Sequence, residues 1–138
     1  MPDVSPVRTA ARLLLGAALV LAGTGHFLLP EEFLAQVPSW FPVDGGVVVA
    51  VSGVVEVVLG LGLLLLPRHR VALGLAAAAL FVAVFPGNVA QYVEGNDAFG
   101  LDTDRARLAR LFFQPLLVAW ALWCTGAWAA VAGRRPRA

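Results

Sequence analysis

A chain of 138 residues that is 59% apolar and only 14% charged, with a mean hydropathy of +0.80, carries too little polar surface to cover a water-soluble globule. Its length allows one bundle-sized domain, and a net charge of +1, with the basic residues at the ends of apolar runs rather than in one stripe, argues against a nucleic-acid partner. The single cysteine, Cys124, excludes an intrachain disulfide, a CxxC redox pair and a cysteine-based zinc site.

A bilayer core of about 30 Å needs about 20 apolar helical residues, because each rises about 1.5 Å and lipid offers no partner to an unpaired backbone group. Four segments meet that length, at about 8–29, 46–66, 71–93 and 107–132, and Pro30 and Pro67 end the first two. The expected fold is all-α: one transmembrane domain over residues 1–138, a multi-pass four-helix bundle in the plasma (inner) membrane. Arg8 and Arg12 ahead of the first apolar run look like the start of a signal peptide, but the run is long for one and no A-x-A site follows, so it is read as a span.

The first connection begins with Pro30-Glu31-Glu32-Phe33-Leu34, a short amphipathic piece, and continues through Pro38, Trp40 and Pro42, rigid turns around a tryptophan suited to the headgroup layer. This loop is expected to lie on the membrane as a lid. The second helix carries Glu56 roughly ten residues from its outer start, about 15 Å deep and near the bilayer midplane. Ser52 and Gly60 flank it at i−4 and i+4, so its face admits a neighbouring helix and Glu56 is expected to point into the bundle. The turn Pro67-Arg68-His69-Arg70 is so short that the second and third helices must be antiparallel neighbours.

In the third helix Asn88 and Gln91 follow Pro86, which removes one N–H, frees the carbonyl of Val82 and predicts a kink. The connection from Glu94 to Asp104 is polar and reads as solvated, without chemistry of its own. In the fourth helix Gln114 precedes Pro115, which frees the carbonyl of Leu111.

Arg8, Arg12, Arg68, Arg70, Arg134, Arg135 and Arg137 gather on one side, and Glu31, Glu32, Asp44, Glu94, Asp97, Asp102 and Asp104 on the other. Because cytoplasmic loops retain arginine, both termini are expected inside. Arg105, Arg107 and Arg110 weigh against this, offset by the acids beside them and by the placing of Arg110 within the fourth helix.

On that topology His26, Asn88, Gln91 and Gln114 share the outer third of the bilayer, with Glu56 below and the tryptophan loop above. Each polar group costs several kcal/mol if unpaired in hydrocarbon, so one outward-opening pocket would satisfy all five. The competing reading is that they hydrogen-bond across helices as packing glue. One histidine and one glutamate without a third ligand do not make a metal site.

The strings GTGHFLLPEEFLAQVPSWFP, SGVVEVVLGLGLLLLP, VFPGNVAQY and RLFFQPLLVAWALW contain, in order, GHF, a Pro–Trp–Pro loop, SG-x-x-E, FP-x-N and QP. Over residues 23–123 this set resembles the small DoxX-type membrane proteins. The resemblance implies a small subunit associated with a quinone-linked oxidoreductase, and its recurring positions fall on His26, Glu56, Asn88 and Gln114. The expectation is an accessory membrane component, beside a membrane-associated redox enzyme, that binds a quinone-like or other small apolar molecule, with His26 or Gln114 donating to a carbonyl and Glu56 exchanging a proton. The alternative is a non-enzymatic transporter of a small solute or an assembly partner. No haem ligand pair or Gly-rich phosphate loop supports independent catalysis. Gly16 with Gly23 would permit close pairing between subunits in a homo-oligomer.

The orientation has a direct test. A cysteine replacing Ser39 is expected to react with an impermeant thiol reagent in intact cells, and one replacing Ala138 only after permeabilisation. The reverse pattern refutes the assignment.

Overall fold

The computed structural model describes residues 5–97, 100 and 102–133. The elements are α1 (Pro6–Leu28), α2 (Pro30–Leu34), α3 (Gly45–Leu65), a 3-10 turn at Pro67–His69, α4 (Arg70–Glu94), α5 (Asp104–Thr125) and α6 (Trp128–Val131). Four of them, α1, α3, α4 with its leading turn, and α5, are long and apolar enough to cross a membrane. Arg134, Arg135 and Arg137, which entered the orientation argument, lie outside the described residues.

The starts of three spans are capped from the sequence. The side chains of Ser5, Asp44 and Thr103 accept from the backbone N–H groups of Arg8, Gly46 and Ala106 at 3.2, 2.9 and 3.1 Å, satisfying donors that a helix cannot bond internally. The fourth span is shorter than its hydropathy predicts. It ends at Thr125, not near residue 132, because Gly126 takes the left-handed conformation (φ 78°), and the chain continues as the single turn of α6. Both α4 and α5 continue through their internal prolines, Pro86 and Pro115.

The long helices form two close pairs, α1 with α3 and α4 with α5, joined along sparser seams between α1 and α5 and between α3 and α4. Glycine explains the first pair. A Cβ on Gly60 would lie 2.6 Å from the Gly16 carbonyl oxygen, and one on Gly23 would lie 2.6 Å from that of Gly53. These contacts, about two helical turns apart on each helix, let the two backbones touch. The Gly16–Gly23 face, expected to be available for pairing between subunits, is thus covered by α3 of the same chain.

The core of the bundle is packed with Leu15, Leu19, Leu59, Leu63, Ala77 and Phe81 among others, while Leu14, Val51, Val58, Val82, Phe112 and Leu116 are exposed. An apolar exterior is what a lipid solvent selects. Arg12, expected at the inner rim, is instead buried at 7% exposure and donates to the Leu63 carbonyl. That carbonyl belongs to the last turn of α3, where no backbone N–H can reach it. The Trp120 indole N–H donates to the Ala11 carbonyl at 3.1 Å, tying α5 to α1 across the sparser seam.

The connection after α4 is more than solvated linker. The Glu94 carboxylate accepts from the Ser39 hydroxyl at 2.6 Å and its N–H at 3.2 Å, and the Asn96 amide donates to the Ala35 carbonyl at 3.0 Å. Arg107, buried at the start of α5, holds Asp97 at 2.7 Å and Asp104 at 3.1 Å. The loop between α1 and α3 and the loop after α4 are therefore stitched to one another over one end of the bundle.

Two outcomes follow from these contacts. Gly53→Val forces a side chain against His26 Cβ, which a bare Cβ would already approach to 2.8 Å, and is expected to lower stability by about 2 kcal/mol or more in detergent melts, whereas Gly46→Ala, with 3.6 Å of room, should be nearly neutral. Glu94→Ala is expected to raise amide exchange at residues 36–41 several-fold while leaving α1 protected; unchanged exchange there would show that the latch does not hold the loop.

Candidate functional site

The contact of Gly53 with α1 decides what happens one turn further along α3. Gly53 sits against the His26 Cβ, so Glu56, three residues on, comes level with the imidazole. His26 Nε2 lies 2.9 Å from Glu56 Oε2, and Nδ1 lies 2.8 Å from the Ala22 carbonyl oxygen, four residues earlier in α1. A carbonyl can only accept, so Nδ1 carries a hydrogen. One further proton between Nε2 and the carboxyl oxygen would keep two lone pairs from facing each other across 2.9 Å. The pair is an imidazolium with a carboxylate or a neutral imidazole with a carboxylic acid, and its net charge is zero in either arrangement. Phe33 of α2 stacks on the ring, centroid to centroid 3.7 Å at 27°, and holds its plane.

This pair forms part of the wall of a cavity of about 670 Å³ at the seam between α1 and α5. Most of the wall is apolar, with Leu15, Leu19, Phe81 and Leu117 among its members. Leu21 and Leu29 also border it and are 74% and 58% exposed, so the cavity reaches the lipid-facing surface of the bundle. Gln114 lines its α5 side. The Gln114 amide nitrogen donates to the Phe81 carbonyl at 2.7 Å, and its oxygen accepts from Arg110 Nη1 at 3.0 Å. It therefore takes the carbonyl of Phe81, not that of Val82 or Leu111, which the prolines were expected to offer.

A second cavity of about 260 Å³ lies beneath the lid, bordered by Pro38, Trp40 and Pro86. His26, Phe33, Gln36 and Val84 border both cavities and stand between them.

Of the five residues selected by depth, His26, Glu56 and Gln114 meet on the larger cavity. Asn88 and Gln91 do not line either one. Gln91 is 1% exposed and closes the C-terminus of α4: its amide donates to the Asn96 carbonyl at 3.2 Å while its own carbonyl accepts the Asn96 N–H at 3.1 Å. Asn88 is 2% exposed, and neither of its amide atoms is bonded to any described residue. A single pocket for all five, under the Pro38-Ser39-Trp40 loop, is thus replaced by a deeper cavity holding three and a shallower one under the loop that shares only His26.

Sequence reasoning missed Arg110 as a wall residue, treating it as a charge in the topology count. The available signal was its spacing, one turn before Gln114 on a helix whose neighbouring positions are apolar. Gln36 and Phe33, from the lid, could not be assigned to the cavity from a loop sequence.

No curated protein and no solved structure matches this chain. One family model matches residues 15–125, from the third turn of α1 to the last residue of α5, and so takes in the His26–Glu56 pair, Arg110 and Gln114. The chain belongs to the family defined by that model, a domain of unknown function (DUF8561).

Proposed function

We propose that this protein is a plasma-membrane component with both termini in the cytoplasm, accessory to a redox system, whose cavity binds a small apolar molecule bearing a hydrogen-bonding oxygen, such as a quinone headgroup. The observation that carries the reading is the 2.9 Å approach of His26 Nε2 to Glu56 Oε2 on the wall of a mostly apolar cavity open to lipid. A volume of about 670 Å³ lies within the roughly 300–1,000 Å³ range of small-molecule sites. The DoxX-type resemblance supports the redox association, and the pairing of Arg107 with Asp97 and Asp104 supports the orientation by offsetting its charge on the outer side.

The chemistry asked of the chain is modest. Reducing a quinone to a quinol takes two electrons and two protons. The electrons come from a membrane-associated redox enzyme, and the His26–Glu56 pair supplies the two protons in turn, recovering each from water. Arg110 donates a hydrogen bond to the ligand oxygen. A second reading, passage of a small solute, is favoured by one observation: the two cavities stand in series, with His26, Phe33, Gln36 and Val84 between them. Assembly with another membrane protein uses neither cavity.

Trp120, one of four tryptophans, borders the larger cavity and reports on its occupant. With Trp40, Trp123 and Trp128 replaced by phenylalanine, a short-tailed benzoquinone is expected to quench Trp120 saturably in lipid nanodiscs. Ala22→Phe, which adds a ring to the wall, should abolish that quenching; non-saturable quenching insensitive to this change would refute the site. Glu56→Gln preserves shape but leaves no acid proton to share, so it is expected to bind the quinone and to lose proton exchange in membranes containing the reductase. Unchanged exchange would remove Glu56 from the mechanism.

A further inference from the structure

We infer that the larger cavity, besides the neutral ligand proposed above, takes a singly anionic, single-chain amphiphile, a long-chain carboxylate held at Arg110, which rests on the reading of that cavity as a ligand site. Charge accounting is the first ground. The described ionisable side chains on the wall are His26, Glu56 and Arg110. The first two sum to zero in either placement of their shared proton, as the hydrogen on Nδ1 requires. Arg110 remains charged under all accessible conditions, so the wall carries one net positive charge.

Among the described residues no carboxylate pairs with Arg110: Asp104 and Asp97 are held by Arg107 one turn away, and Asp102 forms no ion pair with it. Of its five N–H donors, the one hydrogen bond in place is to the neutral Gln114 oxygen at 3.0 Å. Arg12, the other deep arginine, differs in that it closes the last turn of α3 on the Leu63 carbonyl and does not border the cavity. A guanidinium that faces an apolar cavity is strongly stabilised by an anion there, because opposite charges attract far more in a low dielectric than in water.

The surroundings specify the rest of the ligand. Leu15, Leu19, Phe81 and Leu117 offer walls for a hydrocarbon chain, and the opening at Leu21 and Leu29 admits it sideways from the bilayer. A carboxylate head fits the fork of Arg110 in a bidentate arrangement that a neutral ester cannot match.

The test uses bromine-labelled dodecanoate and its methyl ester as quenchers of Trp120, in phosphatidylcholine nanodiscs, on the full chain with the other three tryptophans replaced. The carboxylate is expected to bind at least about ten-fold more tightly than the ester, the ratio that one charge-assisted contact provides. Arg110→Gln should erase that preference while the ester still binds, which also shows that the variant is folded; Arg110→Lys should retain most of it. Equal affinity for acid and ester in the unaltered protein would overturn the inference and leave the cavity reading intact. Binding of neither would overturn both. Repeating the titration in phosphatidylglycerol nanodiscs separates the sources of the anion: if that lipid abolishes carboxylate binding, a phospholipid headgroup is the natural occupant and the free acid is not.

Discussion

Everything at the site depends on the backbone contact between α1 and α3. Gly16 with Gly60 and Gly23 with Gly53 bring two helix axes closer than any side chain would allow, and the second contact leaves no room between Gly53 and the His26 Cβ. At that separation a histidine and a glutamate on facing helices meet directly, nitrogen to oxygen at 2.9 Å, without an intervening water. Wider spacing would leave both groups polar and unpaired within the apolar layer, an arrangement hydrocarbon penalises.

The same solvent accounts for most of the remaining polar contacts. Arg12 closes the end of α3, Trp120 binds the Ala11 carbonyl, Gln114 bridges Phe81 and Arg110, and Gln91 closes the end of α4. Each is a side chain meeting a backbone group or neighbour that lipid would not satisfy. In this respect the packing-glue reading describes Gln91 well. The His26–Glu56 pair is likewise a polar contact across two helices, and differs in lining, with Arg110, the wall of an open cavity.

The lid acts on the same cavity from outside. Phe33 stacks on His26 from α2, and α2 is held in turn by the segment that Glu94 and Asn96 grip through Ser39 and Ala35. The loop after α4 thus influences the orientation of a histidine on α1, although the two are far apart in the chain.

Much of this was legible in the residues alone. Long apolar runs, proline stops and a sparse charge content determined the all-helical class and four helices long and apolar enough to cross a membrane. Depth, which follows from counting residues along a helix, likewise singled out His26, Glu56 and Gln114. Azimuth and partner choice did not follow, since they depend on how each helix is rotated by its neighbours. Only the tertiary structure sent Asn88 and Gln91 away from the cavity, turned Arg110 from a charge in the topology count into a wall residue, and spent the Gly16–Gly23 face on α3. The fourth span shows the same division at a single residue: hydropathy continues to residue 132, but the left-handed backbone of Gly126 ends the helix at Thr125, a conformational decision that hydrophobicity does not encode.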